Sequence, residues 1–268
     1  MLRPAILGSL LVCAGCALTR SLVYHPTPVL EPSPPIEAGS EAEPAAVDLR
    51  FAAEDGTVLH GRLARFVGAQ RAVLFCHGNR GNVFTPYNED TQRALRRATR
   101  AHVLVWDYRG YGCSEGRPRE KLVQGDALAA LAALESATAI ARSEIVVVGQ
   151  SLGGAVAIDL ASRTRLRGLV VLSSFTNVND MASFAARLPL GFLVPESWDS
   201  LEKVARIDGP KLFVHGDADD VIPFEQGERL FAAAKEPKQF LRLHNADQFP
   251  SLYRDSEVVA AIASFVNR

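Results

Sequence analysis

Three short stretches of this chain carry residue types whose spacing fits nucleophilic acyl chemistry. The first is GQSLGG, residues 149–154, a G-x-S-x-G pattern. It follows the strand-like run EIVVVG and opens an apolar helical run, the context in which the pattern is informative. A serine on that sharp turn projects its hydroxyl over the sheet edge. Gly149 and Gly153 leave room for the strained backbone, and the helix N-terminus adds free N–H groups and positive potential. Ser151 is assigned as the nucleophile over the plainer role of a helix-capping serine. The second stretch, CHGNRGN (76–82), suits a loop that aims backbone N–H groups at a developing oxyanion. One donor is assigned to Leu152, directly after the nucleophile, and the other to Asn79, with His77 shaping the loop. The third, VHGDADDVIP (214–223), offers a carboxylate to orient an imidazolium; Asp219 fits the spacing H-G-x-x-D-x-x-x-P, and Asp217 and Asp220 suit turn or cap positions.

These stretches need a frame that brings them to one edge. VDLRFAAEDGTVLHGRLARF (47–66) reads as two strands around the Asp55-Gly56 turn, a hairpin. AVLFC, HVLVWD, EIVVVG, GLVVLS, KLFVHG and KQFLRL are short buried-strand runs, and helix patterns over 85–100, 121–134, 152–163, 225–234 and 256–266 lie among them. A hairpin followed by strand–helix repeats predicts an α/β fold, a mostly parallel central sheet with helices on both faces. Residues 175–207 interrupt that rhythm after the sixth strand. Carrying Met181, Phe184, Leu188, Pro189, Phe192, Pro195 and Trp198, they are expected to form a short lid over the carboxyl edge of the sheet.

The 268 residues suffice for one large domain and a tail, and a net charge of -1 gives no reason to expect a nucleic-acid partner. No His/Cys/Asp cluster has metal-ligand spacing, and the glycine-rich turns suit an elbow and an oxyanion loop better than a phosphate cradle, so neither a metal nor an organic cofactor is expected. The N-terminus, MLRPAILGSLLVCAGC, has one basic residue and a short apolar run, and resembles a lipoprotein signal. The expected organisation is a signal peptide over 1–15, Cys16 as the lipidated residue, a Pro-rich linker over 16–46, and a folded domain over 47–268 with its lid at about 175–207. That predicts a membrane partner through the lipid, in the bacterial cell envelope. Ala17 after Cys16 points to the periplasmic face of the outer membrane in a Gram-negative cell. Of the remaining cysteines, Cys76 falls in a buried strand and Cys113 in a loop, and both are read as free thiols.

HGNRGN, DYRGYGCSEG, GQSLGGAVAIDLA, SSFTNVNDMA and HGDADDVIPFEQG, in that order from about Val47 to the C-terminus, resemble the α/β-hydrolase superfamily. They are most similar to the branch that includes lysophospholipid lipases and protein depalmitoylating thioesterases. The resemblance implies an α/β-hydrolase fold and a small ester or thioester substrate bearing an acyl group.

In that branch the loop after the last strand usually reads GA-x-H, its histidine being the general base. Here the letters are Asn245-Ala246-Asp247-Gln248. An amide hydrogen-bonds but takes no proton near neutral pH, which leaves a serine hydroxyl a weak nucleophile. His244 is the substitute on the same loop, four residues earlier. Two functions follow. One is a serine hydrolase, rescued by His244 or slow on an activated acyl substrate. The other is a catalytically silent hydrolase fold binding a lipid, an acyl ligand or a protein at a membrane surface. The intact GQSLGG favours the first, and Gln248 the second.

Overall fold

The structure, a computed structural model, describes residues 23–29, 45–186, 196–247 and 255–268. The first folded unit is an antiparallel hairpin of β2 (Val47–Ala52) and β3 (Val58–Ala64), turning at Gly56 with φ +83°. β4 (Ala72–Cys76), β6 (His102–Asp107), β7 (Ile145–Gln150), β8 (Gly168–Leu172), β9 (Lys211–Gly216) and β10 (Lys238–Leu243) are mutually parallel. Together they make an eight-stranded sheet in the order β10-β9-β8-β7-β4-β6-β3-β2, with β3 antiparallel to β6. A separate two-stranded ribbon pairs β1 (His25–Pro26) with β5 (Arg80–Gly81). The helices are α1 (Pro86–Thr99), α2 (Glu120–Thr138), α3 (Leu152–Arg163), α4 (Val178–Ala186), α5 (Ser200–Val204), α6 (Phe224–Ala233) and α7 (Ser256–Asn267).

The central strands are apolar on both faces because both faces are covered, and the period-2 pleat sorts their side chains. Leu74, Leu104 and Val147 point into one core with Leu131 of α2, Val156 of α3 and Leu230 of α6. Their neighbours Val73, Val103 and Val146 point into the other, against Leu95 of α1 and Val258, Ile262 and Phe265 of α7. Each such fully buried aliphatic side chain contributes about 1.5–3 kcal/mol relative to exposure. Cys76 and Cys113 are free. Burial pushes the Cys76 thiol up to about 12, so it is a neutral core residue at pH 7.

The register fixes where the loops emerge. Cys76 pairs with Gly149, Gln150 with Leu172, and Leu172 with Val214. The segments that follow β4, β7, β8 and β9 therefore leave the same carboxyl edge, where open α/β sheets bind ligands. The insertion after β8 has two described parts. α4 carries the half-exposed Phe184 and the partly buried Met181, which packs on the core. Trp198, before α5, is buried. Leu188, Pro189, Phe192 and Pro195 lie outside the described residues. Trp198 thus belongs to the core rather than to an open cover.

The N-terminal side departs from the expected linker. Residues 1–22, with Cys16, and 30–44 lie outside the described residues. Residues 23–29, however, lie against the domain: His25 sits in β1, and Tyr24 is buried. Proline-rich composition forbids a core of its own, but an extended segment with free backbone groups can pair with an available edge, here β5.

Candidate active site

Ser151 stands between β7 and α3 with φ +54° and ψ −120°, a strained conformation rare for a residue with a side chain. Sterics explain the glycines around it. A Cβ on Gly149 would overlap the Gly153 carbonyl, and one on Gly153 would overlap the carbonyls of Cys76 and His77. The elbow is thereby pressed onto the end of β4. The Cβ position of Gly78 lies 3.7 Å from Ser151 Cβ, so the loop after β4 and the elbow are in van der Waals contact.

Each assigned oxyanion donor belongs to a peptide unit held by its own carbonyl. The Leu152 N–H shares a peptide with the Ser151 C=O. That oxygen accepts from the Gly154 N–H at 2.9 Å and from Ser174 Oγ at 2.8 Å. Leu152 opens α3, so its N–H has no acceptor within the helix. The Asn79 N–H shares a peptide with the Gly78 C=O, which lies 2.7 Å from His77 Nδ1. A carbonyl can only accept, so that bond places a proton on Nδ1. Because C=O and N–H point in opposite directions across a trans peptide, fixing each oxygen aims each N–H. Tyr108 Oη donates to the His77 carbonyl at 2.6 Å, and Asp107 Oδ1 accepts the Val83 N–H at 2.9 Å, which steadies both ends of the loop. Farther back, Arg109 makes two 2.6 Å bonds to Asp126 and one of 2.7 Å to Asp55, fixing the turn between β6 and α2.

His77 is fully buried, and its ring stacks at 4.5 Å on Tyr108. Its contacts are those of a loop-shaping residue. Ser174, Tyr108 and Tyr111 escape the sequence-level site. All three lie in motifs visible as strings, SSFTN and DYRGYG, but the acceptors of their hydroxyls are set by elements distant in sequence.

Asp219 follows β9, two strands from β7, about 10 Å across the sheet at the usual spacing. Its Oδ1 accepts the N–H groups of Val221 and Ile222 at 3.0 and 2.8 Å, which anchors the carboxylate in its own turn. Its Oδ2 is buried and has no hydrogen-bond partner among the described residues; the His215 Nε2, 3.4 Å away, lies 2.9 Å from the Ile222 carbonyl. Asp217 does something different. It accepts from the Asn245 N–H at 2.6 Å, from Arg242 Nε at 3.0 Å, and faces His244 Nδ1 at 3.0 Å. Burial pushes its carboxyl up, but these three donors outweigh that and hold it below its ordinary range. His244 is 75% exposed, and its Nδ1 is spent on Asp217. The same loop is tied down by Ala218, whose N–H donates to the Ala246 carbonyl at 3.0 Å. Gln248 lies outside the described residues; Asp247 before it has its carbonyl against Gly216. Among the described residues no group of three or more His, Cys, Asp or Glu could hold a metal ion.

A profile of the Alpha/beta hydrolase family matches residues 73–202. The alpha/beta hydrolase domain-containing protein WAV2 of Arabidopsis thaliana is 32% identical over 255 residues, covering 85% of this chain and 81% of that protein. An uncharacterized protein of Mycobacterium tuberculosis is 34% identical over 230 residues, covering 83% of this chain and 77% of its own length. Among solved structures, the Pyrococcus furiosus esterase Pf2001 superposes with a TM-score of 0.75 at 19% identity, covering 92% of this chain and 98% of that one. The chain belongs to the alpha/beta hydrolase family.

Proposed function

We propose that this protein is a serine hydrolase of small carboxylic esters or thioesters bearing an acyl group. The observation that carries the reading is the strained Ser151 elbow, flanked by two peptide units whose carbonyls are pinned, so that the Leu152 and Asn79 N–H groups are left to receive an oxyanion. Ser151 Oγ attacks the acyl carbonyl, and charge developing on that oxygen falls to the two amides. The alcohol or thiol then leaves, and water releases the acyl group. The Ser151 proton needs an acceptor. Asp219 is the carboxylate that would steady a base, and Gln248 is not one. In subtilisin, losing the histidine costs about 10⁶ in turnover and leaves ~10³–10⁴ over water, so an activated acyl substrate suits a weakened site. The esterase among the structural neighbours agrees with an ester substrate.

A second reading is favoured by the engagement of His244 with Asp217 and by Asp219 Oδ2, which has no hydrogen-bond partner among the described residues. It is a silent member of the family that binds a lipid, an acyl ligand or a protein. Under either reading the chain is held at a membrane by lipid on Cys16, on the periplasmic face of the outer membrane in a Gram-negative cell. Fluorophosphonate labelling of the full chain in detergent, beside Ser151→Ala, separates the two. Labelling at Ser151 sustains the hydrolase. Labelling that needs Gln248→His marks a disarmed site and moves the search to ligands.

A further inference from the structure

Seven residues from a stretch whose composition suggests a spacer are bound to the loop that carries the Asn79 amide. The His25 N–H donates to the Asn79 carbonyl at 3.1 Å and to Tyr111 Oη at 2.9 Å, and Tyr111 Oη donates to the same Asn79 carbonyl at 2.9 Å. Thr27 Oγ1 donates to the Gly81 carbonyl at 2.7 Å, and the Thr27 carbonyl accepts from Asn82 Nδ2 at 2.9 Å and the Gly112 N–H at 3.1 Å. The Val29 N–H continues to the Gly112 carbonyl at 2.8 Å. At the other end, the buried Tyr24 hydroxyl accepts the indole N–H of Trp198, in the insertion after β8, at 3.0 Å. One extended segment thus touches the oxyanion loop, the turn after β6 and the insertion.

We propose that residues 23–29 are a positioning strap for the oxyanion hole, acting through the Asn79 carbonyl with Tyr111 as its inner clasp. The geometry gives the reason. His77 fixes the peptide before Asn79, through the Gly78 carbonyl, and the strap and Tyr111 fix the peptide after it. With both flanking peptides held, the Asn79 N–H has one direction. Tyr111 and Thr27 are positioning residues: their bonds go to the carbonyls of Asn79 and Gly81, in the loop that carries the Asn79 amide. The strap also makes the N-terminal chain part of the site rather than a passive tether. Its catalytic consequence rests on the hydrolase reading above, whereas the holding of the loop does not.

The test uses the full chain in detergent micelles and a short p-nitrophenyl ester, in whichever of the native protein or Gln248→His turns over. Tyr111→Phe keeps the ring and removes the clasp; Thr27→Val removes two strap bonds at an exposed position, those of Oγ1 with the Gly81 carbonyl and Asn82 Nδ2. An oxyanion donor acts in the transition state, so its misalignment lowers kcat and leaves KM in place. The expected result is a loss of about tenfold in kcat for Tyr111→Phe, a smaller loss for Thr27→Val, and KM within about twofold. Unchanged kcat in folded Tyr111→Phe, or a change confined to KM, overturns the proposal. If Tyr111→Phe does not fold, Thr27→Val is judged by the same criterion. If neither background turns over, the hydrolase reading falls, and exchange of the His25 and Gly112 amides, which donate to the Asn79 and Thr27 carbonyls, judges the strap by itself. Exchange about tenfold faster in Thr27→Val supports it, and unchanged exchange overturns it.

Discussion

His244 and Asp217 face each other at 3.0 Å, Nδ1 to Oδ2, on the loops that follow β10 and β9. The histidine nearest the expected base position is therefore committed to a carboxylate other than Asp219, and its ring is largely in solvent. Asp219 meanwhile keeps a buried oxygen with no hydrogen bond among the described residues. The acid and the candidate substitute base are therefore not paired with each other.

It follows that His244→Ala should change the rate of fluorophosphonate labelling at Ser151 by less than about twofold. Gln248→His should raise esterase turnover by about 10²–10⁴, the range for a positioned general base. Steady-state kinetics on both variants check this. Abolished labelling in His244→Ala would make that residue the base after all.

Ser174 holds the Ser151 carbonyl and so aims the Leu152 N–H. Ser174→Ala should lower kcat by about tenfold with KM unchanged, less than the 10²–10³ for removing an oxyanion donor outright. Circular dichroism alongside the kinetics shows whether the fold is retained. A loss in KM alone would place Ser174 in substrate binding instead.

The elbow tolerates no Cβ at Gly153, where the end of β4 already occupies the space. Gly153→Ala should destabilise the domain by more than ~2 kcal/mol, as overpacking in a closed site does. Gly125→Ala is the control: it lies within α2 with open space at its Cβ, and should be neutral or stabilise by about 0.5–1 kcal/mol. Thermal unfolding of the two variants measures both.

Asp217 couples the loop after β10 to the acid loop, and its carboxyl is held below its ordinary value of about 3.9. A depressed folded-state value means that the stabilisation is fully present above the unfolded value and is lost as pH falls through the folded one. Exchange of the Asn245 amide should therefore be protected at pH 6 and accelerate relative to its intrinsic rate below about pH 4. Asp217→Asn should blunt that dependence.

Anchoring is tested by fractionation. Cys16→Ser should release the protein from membranes, and unchanged fractionation would refute lipidation at that residue.

Much of this protein was legible in the letters. The hairpin, the alternating strands and helices, and the elbow at Ser151 follow from short-range rules. A short continuous apolar run marks a strand buried on both faces, and glycine is demanded where neighbouring backbone closes in. The helix over 152–163 and the strand before it could be placed from sequence because hydrophobic spacing is local. Tertiary structure decided the pairings. That Asp217 rather than Asp219 takes His244 depends on how two loops lie across adjacent strands. The bond from His25 to Tyr111 spans 86 residues, and that from Trp198 to Tyr24 spans 174. Such contacts leave no periodic trace in the chain, and a proline-rich segment that pairs by its backbone reads like a spacer until the strand beside it is seen. Sequence supplied the reactive residue types and their elements; the folded chain selected their partners, because hydrogen bonds are satisfied by whatever group lies within reach in space.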